Sequence, residues 1–180
     1  ANAFLATKLS FANAIAALCE HLGANIDDVM NGIGQDRRIG SQFLKPGPGW
    51  GGSCFPKDTR ALVKIAENSG YDFALLRGVI DFNEVQFDRI VQKVRKFTGG
   101  SLTGKTIALL GLTFKANTND LRDSPSLRIG QMLLSQGAKI RGYDPTVSAS
   151  FDDIYVCNSA VDACTNADVV LITTEWAEFS

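Results

Sequence analysis

The 180-residue chain holds one histidine, two methionines and four cysteines. It has almost no net charge: 18 Lys and Arg stand against 19 Asp and Glu. That balance removes any general electrostatic case for nucleic acid or an anionic membrane as partner, so an anion must be met by a local site. Uninterrupted apolar runs are a few residues long, as from Ile107 to Leu110, and Lys8 breaks the N-terminal apolar stretch, which predicts neither a membrane span nor a signal peptide. Cys19, Cys54, Cys157 and Cys164 lack CxxC spacing, and the lone His21 cannot complete a zinc set, so no metal site is expected. Thiols without a disulfide framework suit a reducing, cytoplasmic setting. What remains is ordinary globular material, 45% apolar and 21% charged, enough for one large domain or two small ones.

Hydrophobic periodicity divides the chain. Residues 1–98 read as an all-helical domain and residues 99–180 as a parallel, doubly wound α/β domain, an α/β protein overall. Phe4, Phe11, Ile15, Leu18 and Leu22, with Leu5, Ala12, Ala16 and Cys19 beside them, form a broad apolar stripe on a first helix, stopped by Gly23. Asp27 and Asp28 open a short second helix, and Pro56 starts a third that runs to about Asn68. Phe73, Leu76, Ile80, Phe87, Ile90, Val94 and Phe97 predict a helix of roughly 26 residues, about 39 Å long. Such a helix serves either as a subunit interface or as a scaffold within the chain. Beyond Thr98-Gly99-Gly100-Ser101 come strands at 105–110, 139–143 and 167–173, with a helix over 126–136. Residue 1 is not Met and already reads as helix, and Glu175 to Ser180 follow directly on a strand, the pattern of a piece of a longer protein.

Gly47, Gly49 and Gly52 satisfy G-x-G-x-x-G literally, but Pro46 and Pro48 flank the first glycine and no hydrophobic strand precedes it, so a dinucleotide fingerprint is not expected there. The chemistry lies just beyond, in Gly51-Gly52-Ser53-Cys54-Phe55-Pro56-Lys57-Asp58. Pro56 puts Cys54 at a helix N-terminus, whose partial positive charge favours thiolate, the nucleophilic form. Lys57 adds positive charge, and Asp58, one turn on, can orient or deprotonate a water or hydroxyl. Cys54 is then a covalent nucleophile or a buried thiol beside a structural loop, as Cys19 is expected to be. His21, two residues from Cys19, suits a surface or capping role, which leaves a hydrolase of the cysteine–histidine kind without its base. In the second domain Lys115 follows a strand, where ligands of doubly wound sheets bind. Arg122, Asp123 and Ser124 precede a helix N-terminus that can face an anion, or they line a solvated loop.

Together these stretches resemble the UDP-glucose 6-dehydrogenase family, within the UDP-glucose/GDP-mannose dehydrogenases. The matching segments are Asn2 to Ala6, Asp36 to Gly40, Phe43 to Asp58, Gly111 to Lys115, Asp120 to Ser126, Tyr143-Asp144-Pro145 and Thr174-Glu175-Trp176, in family order across the chain. The long glycine and cysteine segment is closer to the UDP-glucose branch than to the GDP-mannose or UDP-N-acetyl-mannosamine branches.

The resemblance implies a helical central domain with dimer contacts and a long helix, followed by a Rossmann-like UDP-binding domain. The family's N-terminal NAD-binding domain, and its catalytic lysine four residues before the position of Asn2, have no counterpart here. The implied reaction is a two-step, NAD-dependent oxidation of UDP-glucose to UDP-glucuronate through a thiohemiacetal and a thioester on Cys54. By the same resemblance Asn2 holds the developing C6 oxygen and Asp58 positions water. Phe43, Leu44, Lys45, Pro46 and Gly47 wrap the nucleotide sugar, with Gly51 close against it. Phe114 and Lys115 hold uracil or diphosphate, Arg38 reaches the substrate of a neighbouring subunit, and Lys57 and Arg122 contact NAD. The 180 residues alone are expected to be inactive. Two other readings stand beside this one: an oligomerisation and UDP-sugar-binding module, and a dehydrogenase for another nucleotide sugar.

Overall fold

A computed structural model describes residues 1–179; Ser180, the last residue of the expected second domain, lies outside the described residues. The chain forms two compact units. The first comprises Ala1–Trp50 and Cys54–Gln86; the second comprises Gly51–Ser53 and the chain from Phe87 onward. The division falls inside a helix, Ala74–Phe97, whose two halves belong to different units.

The first unit is helical. Helix α1 (Asn2–Leu22) ends at Gly23, whose φ of 69° is the left-handed conformation that glycine adopts without a Cβ clash. Asn25 caps α2 (Ile26–Gly34) by accepting a hydrogen bond from Asp27 N–H. Helix α3 (Phe55–Asn68) carries Pro56 in its first turn, and α4 (Ala74–Phe97) contributes residues 74–86. Ala6, Trp50, Val63, Leu76 and Val79 make one core cluster; Ala12, Met30 and Leu44 make another.

Only part of the broad apolar stripe predicted on α1 is buried: Ala12 and Cys19 are, and Ile15 packs on the cluster of Ala12 and Met30. Phe4, Phe11, Leu18 and Leu22 are exposed, whereas Ala6, Ser10, Ala12, Asn13 and Cys19 are buried. Small side chains let a helix backbone approach its neighbours closely, and summed hydrophobicity does not register that advantage. Helix α1 is also, among the described residues, long and apolar enough to cross a membrane by length and composition, which a search for uninterrupted runs overlooked. Its buried polar residues are hydrogen-bonded within the unit, as described below. His21 is exposed, with Nδ1 2.8 Å from the Ala17 carbonyl.

The second unit is a four-stranded parallel sheet: β1 (Thr106–Leu110), β2 (Lys139–Tyr143), β3 (Ile154–Val156) and β4 (Val169–Ile172), in the order β3-β2-β1-β4. Side chains alternate across it. Ile107 and Leu109 pack with α5 (Pro125–Ser135) and with Phe87, Val91 and Val94 of α4. Ala108 and Leu110 cluster with Cys157 and with Ala163 of α6 (Ala160–Cys164). Helices on both faces explain why β1 reads as a continuous apolar run. Both β3 and α6 escape the sequence reading: three and five residues are too few to show a period.

Candidate functional site

The segment from Ser41 to Cys54, whose residues 41–50 and Cys54 belong to the first unit, is irregular, as its prolines and glycines require. Its backbone is anchored to helices: Gly47 N–H donates to Asn13 Oδ1 at 2.8 Å and Trp50 N–H to Asn83 Oδ1 at 2.9 Å. With its N–H taken up and no strand before it, Gly47 does not open a dinucleotide cradle. Phe43 adopts a φ of 61°, uncommon for a bulky residue, and its half-exposed ring lies 6.3 Å from that of Phe55. Lys45 and Gly47 are exposed and Pro46 is half-buried. Leu44 differs from the other residues assigned to sugar binding: it is buried with Ala12 and Met30, so its side chain serves the core and only its backbone is left for a ligand.

Cys54 occupies the N-cap position of α3 and is exposed, unlike the buried Cys19 and Cys157. Its carbonyl accepts the first helical hydrogen bond, from Asp58 N–H at 2.9 Å, which puts Asp58 one turn along. Asp58 is held on both oxygens. Asn2 Nδ2, at the start of α1, donates to Oδ2 at 2.6 Å, and Lys57 Nζ sits 2.8 Å from Oδ1. The hydrogen bond from Lys57, and then that from Asn2, keep the Asp58 carboxyl below its ordinary range; Asp58 in turn raises Lys57. Thus Cys54, Asp58, Asn2 and Lys57, four residues singled out from sequence, belong to one unit, around the start of α3. Arg38 belongs to the same unit and is gripped by Asp36: Nη2 is 2.6 Å from Oδ2 and Nε 3.0 Å from Oδ1. This fork lowers the Asp36 pKa and leaves the guanidinium exposed.

In the second unit the glycines of the loop meet the ends of the sheet. A Cβ at Gly51 would collide with the Asp123 carbonyl, and one at Gly52 (φ 81°) with the Phe114 ring. Gly52 N–H donates to the Asp123 carbonyl at 3.3 Å. Gly51 is therefore required by protein backbone, whatever else approaches it. Lys115 is exposed, with Nζ 5.4 Å from the Phe114 ring centroid. Arg122 repeats the device seen at Arg38. Its Nε and Nη2 lie 2.9 and 2.8 Å from the two oxygens of Asp120, which pulls the Asp120 pKa down to about 2. Arg122 and Lys57 are both exposed. Among the described residues no group of three His, Cys, Asp or Glu side chains gathers to hold a metal.

The sequence reading named Asp144 only within a matching segment and gave no role to it, yet it organises this end of the sheet. Asp144, at the end of β2, is buried, and its Oδ2 accepts from Leu112 N–H (2.8 Å), Thr113 N–H (3.1 Å), Thr113 Oγ1 (3.0 Å) and Trp176 Nε1 (3.1 Å). Oδ1 accepts from the N–H and hydroxyl of Thr146. Burial raises its pKa, but the hydrogen bonds from Thr146, Thr113 and Leu112 outweigh this and the net shift is downward. The signal was an acidic residue directly after a buried strand. Asn13, Asn83 and Gln86 were passed over too, their signal being amides on buried helix faces.

The arrangement has known counterparts. Residues 1–85 match the central domain, and residues 108–180 the UDP binding domain, of the UDP-glucose/GDP-mannose dehydrogenase family. The chain is 51% identical to UDP-glucose 6-dehydrogenase YwqF of Bacillus subtilis, over 98% of this chain and 41% of that protein. It superposes on a UDP-glucose dehydrogenase from the hyperthermophilic archaeon Pyrobaculum islandicum with a TM-score of 0.93 and 34% identity, covering 99% of this chain and 42% of that one. For a UDP-D-ManNAc dehydrogenase from Pyrococcus horikoshii the TM-score is 0.82 and the identity 28%, over 99% and 41%. The chain thus spans about two fifths of the length of the relatives it matches. Two consecutive domains of one family, matched in order over most of its length, make this chain a member of the UDP-glucose/GDP-mannose dehydrogenase family.

Proposed function

We propose that this chain is the central and UDP-binding portion of an NAD-dependent UDP-glucose 6-dehydrogenase, which converts UDP-glucose to UDP-glucuronate in two oxidations. The observation that carries the reading is the exposed Cys54 at the start of α3, with Asp58 one turn on and tied to Asn2. Identity of 51% to a UDP-glucose 6-dehydrogenase supports the choice of sugar.

NAD, the implied cofactor, is not held by these residues alone. The acidic position after β2, which in dinucleotide folds faces a ribose, here spends both carboxylate oxygens on protein donors. Lys57 and Arg122 fit a lesser part, as charges beside a cofactor carried mainly by another domain. When bound in succession, two NAD+ molecules supply the hydride acceptors, one for each of the two hydrides.

The residues of this chain do the rest. The C6 alcohol first loses a hydride and a proton and becomes a carbonyl. The Cys54 sulfur adds to that carbon, giving a thiohemiacetal whose oxygen the Asn2 amide stabilises by hydrogen bonding. Loss of a second hydride and the hydroxyl proton leaves a thioester. Asp58, kept as a carboxylate by Lys57 and Asn2, orients the water that attacks the acyl carbon. The C–S bond breaks, Cys54 leaves as thiolate, and the carboxylate product is released. Phe43, Lys45, Pro46, Gly47 and the Leu44 backbone are assigned to the sugar nucleotide in the first unit. Phe114 and Lys115 are assigned to uracil or diphosphate in the second. Arg38, exposed on its Asp36 clip, is assigned to the substrate of a neighbouring subunit. A homodimer through the long helix α4 is assigned to the whole protein, and the exposed Leu75, Val85 and Phe97 of that helix support it.

A thermal-shift series on the full-length protein tests the substrate. Stabilisation by UDP-glucose above that by GDP-mannose or UDP-N-acetyl sugars is expected. Preference for another nucleotide sugar would reassign the reaction.

A further inference from the structure

Four buried polar side chains outside the sequence-derived site converge on the loop that leads to Cys54. Two come from α1 and two from α4, each pair spaced i, i+3 and so on one helix face. From α1, Asn13 Oδ1 accepts the Gly47 N–H at 2.8 Å and Ser10 Oγ accepts the Trp50 indole N–H at 2.9 Å. From α4, Gln86 Nε2 donates to the Gly47 carbonyl at 2.8 Å. Asn83 grips Trp50 twice, with Oδ1 accepting its N–H and Nδ2 donating to its carbonyl, both at 2.9 Å. Both backbone polar groups of Gly47 and both of Trp50 are thereby taken up by side chains. All four side chains belong to residues no more than 5% exposed, and all lie in the first unit.

The clasp connects to the nucleophile by packing. The Trp50 ring meets Phe55 edge-on at 6.5 Å between centroids, and Phe55 directly follows Cys54. Gln86 also carries a sign of its purpose. Its Oε1 is buried without a hydrogen-bond partner, a penalty that an apolar residue at this place would avoid. What an apolar residue would lack is the donor to Gly47.

We propose that Ser10, Asn13, Asn83 and Gln86 are positioning residues of the dehydrogenase: they fix the backbone of residues 47–50 and through Trp50 and Phe55 the placement of Cys54. This rests on the assignment of Cys54 as nucleophile. Covalent attack needs the reacting atoms aligned to a fraction of an ångström, so loosening the clasp reduces turnover more than it reduces binding.

Isosteric variants separate hydrogen bonding from shape. Gln86→Glu keeps the outline but loses the donor; Asn13→Ala loses the acceptor, and Asn13→Asp restores it. In the full-length protein two quantities are read: steady-state oxidation of UDP-glucose, and the rate at which iodoacetamide alkylates Cys54, followed by peptide mass mapping. Gln86→Glu and Asn13→Ala are expected to lower kcat about tenfold or more with KM changed less than about threefold. Both should shift the alkylation rate at least about fivefold, with Asn13→Asp returning both readouts toward wild type. Unchanged kcat and alkylation in Asn13→Ala, or an Asn13→Asp protein no better than Asn13→Ala, would overturn the proposal. If Gln86→Glu does not fold, the Asn13 pair decides alone. If the wild-type protein does not oxidise UDP-glucose, the proposed function fails, while the alkylation series still decides whether the clasp positions Cys54.

Discussion

Asn2 and Asp58, 56 residues apart in the chain, share a hydrogen bond of 2.6 Å that joins the first turns of α1 and α3. The bond gives Asp58 a fixed direction, and with Lys57 it keeps the carboxyl ionised. Asp58→Asn in the full-length protein should therefore slow the hydrolytic half of the reaction, by about 10²-fold. Mass spectrometry of Cys54 during turnover checks this: the variant should accumulate an acyl adduct that the wild type does not.

Gly51 and Gly52 should resist substitution where Gly47 does not. A Cβ at Gly51 meets the Asp123 carbonyl and Pro125, and Gly52 combines a φ of 81° with the Phe114 ring, whereas Gly47 faces open space. Gly51→Ala and Gly52→Ala should each destabilise the fold by about 1–3 kcal/mol, and Gly47→Ala by less than about 0.5 kcal/mol. Chemical denaturation of the three variants measures it.

Asp144→Asn should be costly because it puts an amide donor among six donors already aimed at the carboxylate. A loss of about 2–4 kcal/mol is expected. The Trp176 indole N–H resonance, which reports the hydrogen bond to Oδ2, should move with it. The folded pKa of Asp144 lies below its ordinary 3.8, so its contribution is complete above that pH and is lost as pH falls through the folded value. An indole resonance indifferent to the substitution would remove Asp144 as the organiser of this loop.

Asp120 gives a second pH marker. Its pKa of about 2 comes first from the side-chain hydrogen bond of Arg122. A depressed carboxyl contributes above the unfolded value and ceases to do so as pH falls toward 2, so the clip on Arg122 should stay closed down to about pH 3. Carboxyl NMR titration should show Asp120 protonating near pH 2, and Arg122→Gln should return it toward 3.8.

Helices α1 to α5, strands β1, β2 and β4 and the helix start at Cys54 were legible because each has a local signal. Gly23 stops α1, Pro56 opens α3, and β1 is an unbroken apolar strand between two helical layers. The buried face of α1 was legible only in part: Ala12 and Cys19 lay within the predicted stripe, but Ala6, Ser10 and Asn13 were missed, since Phe4, Phe11 and Leu18 outweigh them in hydrophobicity while the small residues pack inward. Leu44 was assigned to the sugar by resemblance, as part of the segment Phe43 to Gly47, and its burial with Met30 in the core has no local signal in the loop sequence. Asn83 and Gln86 were not legible because their partners are backbone atoms more than 30 residues away. A strand or helix period cannot report such a contact; only the folded chain brings it about.

The central claim is covalent catalysis by Cys54, and the most direct measurement is product stoichiometry with the full-length protein and its Cys54→Ala variant. With UDP-glucose and NAD+, the wild type should form two NADH for each UDP-glucuronate and carry a transient acyl group on Cys54. The variant should bind UDP-glucose with similar affinity yet form no glucuronate. Undiminished glucuronate from Cys54→Ala would contradict the account.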